Sequence, residues 1–154
     1  GKSMSMNAEQ LLDMSPKELD QLFGEAECGP VPNGIAKGTA LIAPGSPAGF
    51  SLSKLVRFLA WQGKTFDSEK GQLINRILPI GHSAVVAKVY EDKSWMDKKP
   101  CIALDYSKTS MLAKFVRDEI RLVDKNFYLG KVYVGSLPVI HFCLEFPQET
   151  AAAA

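Results

Sequence analysis

Cysteine is scarce in this chain: Cys28, Cys101 and Cys143 are the three it contains. Thiols so few and so scattered exclude a disulfide framework and a thiolate zinc site. Their odd number leaves at least one free thiol and fits a reducing compartment, with a single Cys101–Cys143 bridge between strands left open. The expected location is the cytoplasm, with a removed leader left open as well. No apolar run approaches the roughly 18 residues that a helix needs to cross a bilayer. An excess of charge of one sign is missing too. Eighteen Lys and Arg stand against 17 Asp and Glu, so no long-range field draws in a phosphate backbone, and nucleic acid is not an expected partner. The two histidines, His82 and His141, share no spacing with a third ligand, and no metal is expected. Glycines 29, 34, 45 and 49 are interrupted by prolines and form no phosphate-cradling loop ahead of a helix. No nucleophile elbow occurs either. No cofactor is expected.

What is present is enough apolar material to fold. A chain of 154 residues with 46% hydrophobic and 23% charged residues matches an ordinary globular domain that can bury a core without staples. Ser15-Pro16-Lys17-Glu18 offers a capping hydroxyl, a proline at the first helical position and a glutamate three residues after the cap. Leu19, Leu22 and Phe23 follow at helical spacing, which predicts a short amphipathic helix from about Pro16 to Ala26. Cys28 to Gly34, with two prolines and two glycines, cannot continue it and reads as a linker. Leu52, Leu55, Val56, Leu59 and Ala60 make a second helical stripe that ends near Trp61.

Beyond that helix the period changes to two. Six strands over 72–78, 83–90, 100–106, 115–123, 127–134 and 139–146 are predicted there, separated by Gly, Pro, Asp, Asn and Ser, and a short strand at Thr39–Ile42 precedes the helix. Connections this short, with no crossover helix, imply antiparallel pairing. The expected fold is α+β, mainly β: a small antiparallel barrel or strongly curved sheet with two N-terminal helices. Residues 1–34 are the N-terminal helix and linker; residues 35–150 are the barrel with one inserted helix at about 52–61, all one folding unit. An exposed strand edge at Thr39–Ile42 would be a place for self-association.

Alternation sorts each strand into faces. Ile102, Leu104 and Tyr106 share one face. So do Tyr128, Gly130, Val132 and Val134, and likewise Ile140, Phe142, Leu144 and Phe146. On the strand from Phe115 the apolar set is Val116, Ile120 and Leu122, and Asp118 falls among them, while Arg117, Glu119 and Arg121 form an outward charged ladder. A carboxylate on an inner face must be hydrogen-bonded, paired, protonated or wet. Tyr106 and Tyr128 are the polar tips expected to reach it. Aliphatic walls with a few inward polar groups favour a barrel that encloses a ligand.

The expected function is therefore binding of an apolar small molecule of fatty-acid, terpenoid or polyketide-like type. Asp118, Tyr106 and Tyr128 would orient it, and Val132, Phe142 and Trp61 would line its cavity. The alternative is a cofactor-independent isomerase, cyclase or hydrolase with Asp118 as base and Tyr106 as acid.

Three blocks carry a resemblance: Leu22-Phe23 with Gly29 to Gly34; Trp61 to Asp67; and Leu104-Asp105-Tyr106-Ser107 through Arg117 to Arg121 to Tyr128-Leu129-Gly130-Lys131-Val132-Tyr133. Together they resemble a group of uncharacterised bacterial single-domain proteins. In layout the chain is also similar to the lipocalin-type ligand binders, which implies a barrel holding a small apolar molecule. The Gly-x-Trp signature of that group is replaced here by Gly38-Thr39-Ala40.

Overall fold

The computed structural model describes residues 6–41, 64–76, 84–107 and 114–147. Two helices come first. Helix α1 (Ala8–Leu12) is capped reciprocally: the Asn7 side chain accepts from the Gln10 backbone N–H at 3.0 Å, and the Gln10 side chain accepts from the Asn7 N–H at 3.1 Å. Helix α2 (Pro16–Glu25) repeats the device with Ser15 and Glu18, at 3.1 and 2.8 Å, and has proline at its start. The expected helix at 16–26 is thus present, and α1 is an addition. The helix expected at about 52–61 lies outside the described residues.

Eight strands follow: β1 (Gly34–Leu41), β2 (Lys64–Asp67), β3 (Gln72–Arg76), β4 (Ala84–Lys93), β5 (Pro100–Asp105), β6 (Val116–Asp124), β7 (Phe127–Val134) and β8 (Leu137–Glu145). Each pairs antiparallel with its neighbour in sequence, and β1 pairs with β8, so the sheet is a closed barrel. Closure uses β1 twice. Its first residues, Gly34 to Ala36, pair with β2, and its later ones, Lys37 to Leu41, pair with β8. Of the stretch suspected of being a free edge, Thr39 to Leu41 is paired along one side with β8, as expected where a barrel joins its edges, and Ile42 lies outside the described residues.

Two strands differ from the sequence reading. Strand β1 begins five residues earlier than expected, at Gly34, and β2 was not anticipated, since four residues give alternation too little length to register. Pro138 enters β8 without breaking it because the β7–β8 register shifts between Val132 and Tyr133, a bulge that relieves the missing donor.

Two apolar clusters hold the molecule. The first fills the barrel and includes Ala36, Phe66, Leu73, Val89, Ile102, Leu104, Tyr106, Ile120, Val132, Phe142 and Leu144. These include the inward residues expected from parity, with Ile140 packed against them. The Phe142 ring lies directly on Gly130: a Cβ there would come within 2.3 Å of it. The second cluster lies outside the barrel, where Leu11, Leu19 and Phe23 of the helices meet Leu41, Phe127, Leu129 and Cys143. Strands β6 to β8 are thus covered on both faces. Gly29, at φ +73°, lets the linker press on β6, since a Cβ there would come within 2.6 Å of Leu122 Cβ. All three cysteines are free, which closes the question of a Cys101–Cys143 bridge. No helix among the described residues is long and apolar enough to cross a membrane.

Candidate functional site

In an up-and-down barrel the odd-numbered strands end at one rim and the even-numbered strands start there. Lys64 opens β2, Asp118 is the third residue of β6, and Tyr106 directly follows β5. All three therefore lie toward the same rim. Strands β2 and β6 stand four places apart in a ring of eight, diametrically opposite. Lys64 shares its face with Phe66 and pairs with Ala36, both members of the inner cluster. Asp118 pairs with Leu104 on one side and Val132 on the other. The cation and the carboxylate thus project into the lumen from opposite walls.

Both groups are 1% exposed. Burial among aliphatic side chains disfavours each charged form. It raises Asp118 to about 7, against which the positive charge of Lys64 pulls down, and it lowers Lys64 to about 8, against which Asp118 pulls up. Burial thus moves the two groups toward each other in proton affinity. One oxygen of Asp118, Oδ1, is buried and has no hydrogen-bond partner among the described residues. Leaving such an acceptor unmet costs about 1–3 kcal/mol or more for a charged group.

Tyr106 is fully buried in the inner cluster, one inward position nearer the rim than Leu104, the cross-strand partner of Asp118. Val132 is the other neighbour of Asp118, and Phe142 lies one layer deeper, opposite Gly130. Tyr128 is not part of this group. It lies four residues from Val132 along β7, about 13 Å away at the rise of a strand, and its hydroxyl donates to the Pro30 carbonyl at 2.7 Å. It borders a separate open cleft of about 570 Å³ at the other rim, with Val31, Pro32, Asn126 and Phe146. The reason is register: Tyr128 pairs with Leu122, not with Asp118. Trp61 lies outside the described residues.

The outward ladder of β6 is present, and it is covered. Arg117, Glu119 and Arg121 do point out of the barrel, but they are 8%, 0% and 1% exposed. The β4–β5 hairpin folds back over them. Glu119 accepts from Ser94 Oγ at 2.7 Å and from the Trp95 N–H at 2.8 Å, and Arg117 Nε donates to it at 3.1 Å. Arg121 forks onto Asp97 at 2.7 and 2.8 Å and also donates to the carbonyls of Phe23, Pro100 and Lys99. Its guanidinium stacks on the Phe23 ring of α2 at 4.6 Å. Beside it, Asp20 of α2 meets Lys131 at 2.8 Å and His141 at 2.7 Å. These contacts fasten α2 and the hairpin to the barrel, and every charge in them has a structural partner. In the lumen, by contrast, Oδ1 of Asp118 is a buried acceptor without a hydrogen-bond partner among the described residues.

Lys64 is the member of the site that sequence reasoning missed. Its signal was the alternation Lys64, Phe66 against Thr65, Asp67, legible only once β2 is known to be a strand.

No protein-family model matches the chain, and no curated protein does. The fold is similar to that of a crystal structure of a protein from Thermomonospora curvata, with a TM-score of 0.62 and 18% identity, covering 93% of this chain and 100% of that one. At this identity the likeness concerns the fold.

Proposed function

We propose that this chain is a small-molecule binding protein of lipocalin-like layout, whose barrel lumen takes an apolar ligand of fatty-acid, terpenoid or polyketide-like type. The observation that carries the reading is the buried, unmet Oδ1 of Asp118 in an otherwise apolar wall. A core filled only for stability gains nothing from such an atom, whereas a ligand hydroxyl or carboxyl placed there would satisfy it. Tyr106 lies in the same inner cluster, two residues beyond Leu104, the cross-strand partner of Asp118, and Val132 and Phe142 supply apolar wall.

Native mass spectrometry of the protein as purified tests this. A co-purifying small molecule, lost or weakened in Asp118→Asn while the fold is kept, is the expected result. Protein that carries nothing and binds no member of a panel of long-chain acids, alcohols and terpenoids would end the reading.

A second reading is a cofactor-independent isomerase, cyclase or hydrolase in the same lumen. It is favoured by the upward shift of Asp118 toward neutrality, where a general base works best. Under it, Asp118→Asn binds its substrate normally and loses about 10²–10⁴-fold in turnover.

A further inference from the structure

Lys64 adds something that the binding reading does not require. A buried primary amine on the inner face of a barrel, toward one rim, beside Ala36 and Phe66 and facing a carboxyl across the lumen, is an arrangement that can condense with a carbonyl group. We infer that Lys64 is a covalent attachment site for an aldehyde or ketone borne on an apolar ligand, with Asp118 as its proton-transfer partner and counter-ion. The inference rests on the reading that a ligand occupies the lumen and narrows that ligand to carbonyl compounds.

The geometry supports the pairing in two ways. First, the two groups are buried charged side chains of the described inner face, on opposite strands and toward the same rim. Second, the unmet Oδ1 of Asp118 is an acceptor waiting for a proton. Desolvation activates an amine by favouring its neutral, nucleophilic form, and the lowered value of Lys64 follows from that cause.

The steps balance without any other reagent. Asp118 takes a proton from the Lys64 ammonium, leaving a neutral amine and a carboxylic acid. The Nζ lone pair forms a bond to the carbonyl carbon, the C=O π pair moves to oxygen, and a proton passes from nitrogen to that oxygen to give a carbinolamine. Asp118 then returns its proton to the hydroxyl, which leaves as water while the C=N bond forms. The product is a protonated imine facing the Asp118 carboxylate. One water is released, no electron is transferred, and the net charge of the pair stays at zero throughout, the ion pair of the start giving way to neutral groups and returning with the protonated imine. A buried pair in an apolar medium tolerates that path, because no step leaves an isolated ion.

Reductive trapping decides the matter. The intact protein is incubated at pH 7.5 with decanal and sodium cyanoborohydride, then analysed by intact mass and peptide mapping. The expected result is one saturable adduct per chain at Lys64, formed ahead of exposed lysines, absent in Lys64→Arg and formed about 10²-fold more slowly in Asp118→Asn. The mapping in the unaltered protein suffices if either variant folds poorly. Adducts spread over exposed lysines with Lys64 unmodified overturn the inference. Decanol, which has no carbonyl, separates the two readings: if decanol binds in the lumen while decanal leaves Lys64 unmodified, binding stands and the covalent site falls. If neither is bound, both fall.

Discussion

Replacing Gly130 with alanine places a methyl group where the Phe142 ring already lies, within 2.3 Å of it. The ring must shift to admit it. Gly130→Ala is therefore expected to destabilise the protein by about 1–3 kcal/mol through overpacking, and Phe142→Ala by about 3–5 kcal/mol through lost burial and a cavity. Urea unfolding of both variants checks this, and a change below about 1 kcal/mol for Phe142→Ala would remove that ring from the core. Asp118 shows how far single residues were legible. Its inward placement follows from three aliphatic neighbours at even spacing, Val116, Ile120 and Leu122, because strand parity is a local property. Its partner was not local. Lys64 enters from a strand on the opposite wall, and nothing in the neighbourhood of either residue announces the other. Tyr128 illustrates the reverse error, since the correct face was read but the position along the tube was set by a register that only the folded sheet defines.

Elements that carry their own start signals were the easiest to read. The capping box and proline of α2 fix its first turn from four consecutive residues. Strand β2 has no such signal within its four residues, and β1 begins in glycine-containing sequence that resembles linker. The β4–β5 hairpin is the instructive case: its lysines suggest solvent, yet its tip exists to hold Asp97 and Ser94 against β6. The consequence is measurable through Asp97, whose hydrogen bonds from Arg121 hold its carboxyl down at about 2. Because the folded value lies below the ordinary 3.8, the stabilisation it gives is complete above that ordinary value and is lost as pH falls through about 2. Asp97→Ala leaves Arg121 buried without its carboxylate, which is expected to cost about 3 kcal/mol, the low end for breaking a buried pair because Asp97 is partly exposed. Thermal melts at pH 6 and pH 2.5 should show the difference from the parent protein shrinking at the lower pH. A constant difference would assign the loss to packing.

For the whole molecule, the sequence conveyed the class of fold but not the number of strands or the way the sheet closes. The six later strands from Gln72 onward were legible by alternation, but closure depends on β1 joining β2 by one half and β8 by the other. That division has no periodic signature, because it is a property of pairing between distant segments. The outer burial of β6 to β8 was hidden for a similar reason: charged residues such as Arg121 read as solvated until an element returns to cover them. A chain ending at Ser136, without β8, loses Phe142 and Leu144 from the core together with two of the eight ladders. It is expected not to refold as a monomer, by size-exclusion chromatography and near-ultraviolet circular dichroism. A compact monomer with native aromatic signals would show that β8 is dispensable.

The β1–β8 ladder also sets an order of events at the ribosome. Leu41 finds its partner in His141, so the first strand synthesised must wait for the last before the ring can shut. Throughout translation, β1 and, once made, β7 each offer an unsatisfied row of amides and carbonyls to whatever is nearby, including a neighbouring nascent chain. A contact between segments so distant in sequence also makes closure slow relative to the local hairpins that precede it. The helices are made first and carry Leu19 and Phe23, which pack beside Leu129 and Cys143 of strands not yet translated. The amino-terminal segment therefore emerges with its own apolar stripe exposed, and its vulnerable interval ends only when the carboxy-terminal strand leaves the exit tunnel.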